Sequence, residues 1–165
     1  MRRFTALAIC LLFLACLTAT TALAQSPHFK KGSTTATLQS DGTVLVCWTE
    51  SGLGNNENIN YTAAATTASA DYQCVNGGGN CPSAANKQSS SGPVSASGTF
   101  ASGKNGSIIA CLVVTPPAAA NVCPSSQTLT LLDVSYSGIS VTDNTDGITS
   151  TASPSSLSAT PFTCP

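Results

Sequence analysis

The chain is short of the groups on which catalysis usually depends. Its 165 residues hold one histidine, His28, so the many Ser and Thr hydroxyls have no evident general base. No Gly-x-Ser-x-Gly motif sets a nucleophile on a sharp turn, and a serine or cysteine hydrolase is not expected. Charge is scarce at 8%. After residue 24 the only basic residues are Lys30, Lys31, Lys87 and Lys104, against Asp41, Glu50, Glu57, Asp71, Asp133, Asp143 and Asp146. That acidic surplus, with no basic cluster, excludes nucleic acid and an anionic membrane surface as expected partners. Aromatics are 5%, with one Trp, which limits both the core and any platform for stacking sugars. There is no Cys-x-x-Cys pair and His28 lies in a terminal segment, so neither metal nor cofactor is expected.

Long apolar runs are missing except at the N-terminus. There Arg2 and Arg3 precede an apolar stretch over residues 4–17, and Ala22-Leu23-Ala24 follows, the layout of a secretory signal peptide cleaved after Ala24. The stretch is short for a bilayer-spanning helix, which needs about 20 residues. Two rival readings, Arg2-Arg3 as a twin-arginine signal and Leu14-Ala15-Cys16 as a lipoprotein box, lack most of their flanking patterns. A secreted protein without a retained membrane anchor is expected; its oligomeric state is open.

What is abundant is hydroxyl and cysteine. Of eight cysteines, Cys10 and Cys16 go with the signal, leaving Cys47, Cys74, Cys81, Cys111, Cys123 and Cys164. An even count in an exported chain reads as three disulfides. Cys47, Cys74 and Cys111 lie in strand-like runs. Cys81, Cys123 and Cys164 each precede a proline, which holds them extended in non-ladder segments. Cys47 and Cys111 sit mid-run in the two most apolar segments and are expected to pair in the heart of the core. The other four can pair as Cys74–Cys123 with Cys81–Cys164, or as Cys74–Cys81 with Cys123–Cys164.

No helical period of useful length follows the signal. Short runs of alternating apolar and polar residues recur between Gly, Pro, Asn and Ser clusters, which predicts an all-β chain. Clear alternation marks residues 68–74 and 94–100. Residues 43–49 and 108–114 are almost continuously apolar, as for strands covered on both faces. Weaker strands are expected at 34–39, 58–65, 128–136 and 139–142. Within 128–136 the apolar phase switches from Leu129 and Leu131 to Leu132, Val134 and Tyr136, which requires a bulge or a crossing between sheets. About eight strands, with turns at Ser40-Asp41-Gly42 and at residues 143–147, favour a disulfide-stabilised two-sheet immunoglobulin-like sandwich over a closed barrel. The expected organisation is an N-terminal tail at 25–32, the sandwich at 33–149, and a Ser/Thr/Pro-rich tail at 150–165 pinned by Cys164.

Three segments break the strand rhythm: a Gly/Asn loop at 51–57, a stretch at 76–92 with Gly77-Gly78-Gly79 and Ser89-Ser90-Ser91, and a segment at 115–126 with Pro116-Pro117. Loops beyond about 12 residues are usually functional or disordered. Asn55, Asn58, Asn76, Asn80, Asn86 and Lys87 in the first two are the candidate binding residues, because amides donate to and accept from sugar hydroxyls or a partner's backbone. Each alone is more simply explained as a turn-former. Glu50 and Glu57 flank the first loop and could pair as glycosidase carboxylates. Asp143-Asn144-Thr145-Asp146-Gly147 lacks the ligand spacing of a calcium loop and reads as a hairpin turn. Asn60-Tyr61-Thr62 and Asn105-Gly106-Ser107 fit the glycosylation sequon.

The stretches Glu50-Ser51-Gly52-Leu53-Gly54-Asn55-Asn56 with Asn58 and Tyr61, Tyr72-Gln73-Cys74-Val75-Asn76-Gly77-Gly78 leading to Pro82 and Ala84-Ala85-Asn86-Lys87, and Cys123-Pro124 resemble a family of small secreted bacterial and fungal proteins of uncharacterised activity. The resemblance runs from about Val44 to Asp143. It implies cysteines at Cys74 and Cys123, which favours that pair, and a compact domain whose two Gly/Asn loops belong together. It implies no activity. The expected function is a non-catalytic module that presents these loops to a glycan or surface protein. The alternatives are a protective extracellular coat protein and a glycoside hydrolase-like enzyme using Glu50 and Glu57.

Overall fold

A computed structural model describes residues 26–82, 87–120 and 122–165, so the signal segment and Asn86 lie outside the described residues. Nine strands follow in order: β1 (His28–Phe29), β2 (Thr35–Leu38), β3 (Val44–Ser51), β4 (Asn58–Asn76), β5 (Lys87–Ala101), β6 (Ser107–Val114), β7 (Gln127–Asp143), β8 (Ile148–Thr151) and β9 (Ser156–Ala159). They form two antiparallel sheets, as the all-β sandwich reading expects. In the first, β3 pairs with β6 along one edge and with β1 and β2 along the other. In the second, β4 lies between β5 and β7, and the far edge of β7 carries both β8 and β9.

The core forms where the inner faces meet. From β3 it takes Val44, Val46 and Trp48, from β4 Tyr61, Ala63, Ala65, Ala68 and Ala70, and from β7 Val134, Tyr136, Ile139 and Val141. Trp48, Tyr61 and Phe100 cluster at one end, with ring centroids 4.8 to 6.0 Å apart. The Tyr136 hydroxyl donates to the Gly42 carbonyl at 2.7 Å, tying β7 to the β2–β3 turn of the opposite sheet. That turn is the expected one: Asp41 Oδ1 accepts from the Thr43 amide and hydroxyl, and these bonds hold its carboxyl below the usual range.

β4 and β7 are each one long strand where the sequence pattern shows two. Alternation cannot register the join, because each strand changes phase partway along. In β4 the inward set moves from Tyr61, Ala63 and Ala65 to Ala68 and Ala70 across a bulge between Ala65 and Ala68. β7 matches it, moving from Val134 and Tyr136 to Ile139 and Val141 through Gly138 at φ 65°. The second shift falls where the Leu131–Leu132 switch requires it: Asp71 opposes Asp133, but Tyr72 opposes Leu131, leaving Leu132 as the extra residue.

Four expectations are corrected. β3 and β6 are covered on one face only, because a two-layer sandwich leaves the outer faces to solvent; Ile109 is 83% and Val113 48% exposed. The Cys47–Cys111 disulfide forms as expected, but between register neighbours on that outer face, with Cys111 exposed, and not in the core. The expected loop at 76–92 is partly strand: Lys87 to Gly92 pairs with Gln73 to Ala68 although it holds no large apolar residue to reveal a period. Finally, the C-terminal tail is sheet as well as tether. It supplies half of β8, all of β9 and the buried Ala152, and the N-terminal tail supplies β1, whose Phe29 packs on the core.

The two remaining disulfides are Cys74–Cys123 and Cys81–Cys164. They hold the 115–126 segment and the tail end onto the strand and loop around the end of β4. Each bridge that closes a loop of this size is worth roughly 2–4 kcal/mol.

Gly138 gives a direct test of the paired phase switch. A Cβ there would collide with the Thr66 hydroxyl in the β4 bulge, and its φ disfavours any L side chain. Gly138→Ala is expected to destabilise the oxidised protein by about 1–3 kcal/mol in guanidinium unfolding.

Candidate functional sites

Alternation along β3 sends Val44, Val46, Trp48 and Glu50 inward together, so Glu50 has no exposed surface. Glu57 is exposed in the loop beyond. The two glutamates therefore occupy different environments and do not face each other across the loop. The neighbour of Glu50 is instead Asp143, the last inward residue of β7 and also fully buried. Asp143 is in register with Tyr61 of β4, and Trp48 stacks on Tyr61. Thus two acids, a phenol and an indole converge from both sheets at one end of the sandwich.

Asp143 Oδ1 accepts the Thr145 and Asp146 amides at 2.7 and 3.1 Å and so closes the β7–β8 hairpin turn, as the turn reading of 143–147 expects. Its Oδ2 is buried without a hydrogen-bond partner, as are both Glu50 oxygens, the Tyr61 hydroxyl and Trp48 Nε1. Burial pushes the Glu50 carboxyl up to about 7; the Tyr61 hydroxyl opposes the shift and the charges of Asp143 and Asp146 add to it. Burial and then Glu50 also raise the Tyr61 phenol. The sequence carries a signal for this pair that an eye for loops misses. Each acid sits at the inward phase of an apolar strand, as Val46-x-Trp48-x-Glu50 and Ile139-x-Val141-x-Asp143.

The Asn loops are not brought together. Asn58 and Asn76 are the first and last residues of β4, and a 19-residue strand at about 3.3 Å per residue can hold them up to roughly 60 Å apart. Asn55 and Asn58 are exposed at one end, and Asn56 takes a left-handed φ of 57° there. At the other end Asn76 Oδ1 accepts the Gly78 and Asn80 amides, both at 3.0 Å, and its backbone bonds to Asn80 and Gly79. The Asn80 amide reaches back to the Gly78 carbonyl at 3.4 Å. Asn76 and Asn80 therefore spend their amides on closing their own turn. Lys87 begins β5 opposite Gln73.

The outer face of the second sheet forms a further surface. Along it cross-strand hydroxyls bond in pairs: Thr62 with Ser97 at 2.9 Å, Ser69 with Ser135 at 2.8 Å, and Thr142 with Thr149 at 2.9 Å. Asp71 and Asp133 stand opposite each other in register and accept from Ser89 at 2.5 Å and Thr160 at 2.6 Å. Around them lie three adjoining depressions of about 380, 350 and 170 Å³. The first shares Ser135 and Ser158 with the second and Asp71 and Asp133 with the third, so together they form one shallow trough from Ser137 and Ser156 to Lys87 and Ser89. Among the described candidate binding residues, Lys87 is the one that lines it.

Among the described residues no group of three or more His, Cys, Asp or Glu is placed to hold a metal ion, and no helix is long and apolar enough to cross a bilayer. Comparison of the chain with protein-family models, curated proteins and solved structures finds no match.

The two kinds of asparagine should behave differently on substitution. Asn76→Ala removes the acceptor for two turn amides and should cost about 1 kcal/mol in denaturant unfolding. Asn55→Ala should change stability by less than about 0.5 kcal/mol.

Proposed function

We propose that the protein is an exported, non-catalytic binding module that lays the outer face of its second sheet along a polar, hydroxyl-bearing ligand, a glycan strand or a surface protein. The observation that carries this reading is the continuous trough between Ser137 and Lys87, where hydroxyls, two carboxylates and one ammonium line an open path. Such groups match the donors and acceptors of a polyhydroxylated chain. Export fits the signal-like N-terminus and the three disulfides, which persist in oxidising compartments.

A protective coat protein is the second reading, and one observation favours it. Trp48, Tyr61 and Tyr136 are almost wholly buried, so none of these rings is free to stack on a sugar.

The test is binding of the mature, oxidised protein to a panel of cell-wall polysaccharides and surface extracts. Ser135→Tyr, which fills the trough, and Asp71→Ala should each weaken binding at least tenfold, about 1.4 kcal/mol. Asn55→Ala should leave it unchanged. Binding that survives both trough variants would overturn the assignment to this face, and no binding to any probe would favour the coat.

A further inference from the structure

The buried polar group at the Trp48 end has more acceptors than donors when both its acids are ionised. Trp48 Nε1 can only donate, the Tyr61 hydroxyl donates one hydrogen, and ionised carboxylates only accept. With both acids ionised, two donors would face three carboxylate oxygens, and two negative charges would share a buried space. The surroundings offer no relief. The register neighbours of Glu50 are Phe29 on β1 and Ile108 on β6, which contribute hydrocarbon. The titratable groups acting on it are Tyr61 from β4, Asp143 from β7 and Asp146 from the turn, none of them basic.

One added proton removes both difficulties. It supplies the third donor and cancels one charge. Its place is Glu50, because Asp143 is already committed as an acceptor to the turn amides. We propose that Glu50 donates a shared proton to Asp143 Oδ2, and that this acid pair is a pH-sensitive clasp holding β3 to β7 at the end of the sandwich that carries the 51–58 loop.

The clasp sits where two connections meet the core. Glu50 leads into the loop whose Leu53 is buried and whose Gly54 carbonyl and Glu57 amide are both tied to the Ser102 hydroxyl. Asp143 anchors the turn whose Asn144 amide and Thr145 hydroxyl bond to the Asn60 backbone. Loss of the proton sets two buried carboxylates against each other, and the loop and turn are the parts that can yield.

The sign follows from where the proton is held. Below about 4.5, the ordinary glutamate value, folded and unfolded chains both carry it and this group adds no pH dependence. Between there and about 7 only the folded chain keeps it, so stability falls as pH rises. Above that both chains release it and the loss is complete.

The test uses the full disulfide-bonded protein and two wild-type readouts. Trp48 is the single tryptophan, so its emission should titrate with a midpoint near 7. Carbon NMR of the two glutamate side chains, Glu50 and Glu57, should show one carboxyl that ionises near the same pH. Tm should fall by on the order of 10 °C between pH 5 and 9. Amide exchange over residues 51–58 and 143–148 should quicken at least tenfold across that range. Glu50→Gln, which keeps a donor and carries no charge, should flatten the Trp48 titration and most of the Tm slope. Two glutamate carboxyls that both ionise below about pH 5 would overturn the proposal without any variant. A Glu50→Gln protein with the wild-type pH slope would overturn it as well.

Discussion

The pairing of β4 from end to end, to β5 on one side and β7 on the other, with register shifts but no change of partner, is the constraint from which the rest of the molecule follows. A strand this long cannot keep one strict alternation and stay packed, since sheet twist carries its side chains away from the facing sheet. The molecule answers with a bulge in β4 and a left-handed glycine in β7 at the same level, so both strands change phase together. Alanines fill the inner face around that point, where a larger side chain would have to fit both phases. The same strand sets the distances on the surface, since whatever follows its first residue and whatever follows its last are held a full strand length apart.

Around this spine, covalent and non-covalent fastening divide the work. The inner face is held by apolar burial and by the Tyr136–Gly42 hydrogen bond, and it also encloses the polar group of Glu50, Asp143, Tyr61 and Trp48. The disulfides lie outside it. One staples β3 to β6 on the solvent side, and two bind the loops and tail near the far end of β4. A core rich in alanine buries modest apolar area, about 25 cal/mol for each Å², so peripheral crosslinks that restrict the unfolded chain add stability the interior does not supply.

Surface chemistry follows from the same economy of large side chains. With nearly all aromatic rings turned inward, the outer face of the second sheet is left with Ser, Thr and a few acids. Cross-strand registry then organises those small groups into hydrogen-bonded pairs. The Asp71–Asp133 pair is the exception to a uniform hydroxyl face. Like charges opposite each other on neighbouring strands are unfavourable, and each is moderated here by a hydroxyl donor.

What the sequence by itself determined is what depends on composition and short-range alternation. Two-residue periodicity without helical period meant two sheets, the Leu131–Leu132 phase switch located a bulge, and Ser40-Asp41-Gly42 and residues 143–147 marked turns. Cys47 with Cys111 was legible because each lay mid-run in a strongly apolar strand, though which face they shared was not. Only tertiary structure decided the rest, because it turns on pairing partners. Lys87 to Gly92 is strand through what lies beside it, and the tail contributes to β8 and forms β9 because the edge of β7 is there to receive them. The Asn loops look adjacent in sequence terms but the 19-residue β4 separates them. Glu50 acquired Asp143 as its partner because β3 and β7 close over one another at the same end, a meeting between residues 93 positions apart that no local pattern encodes.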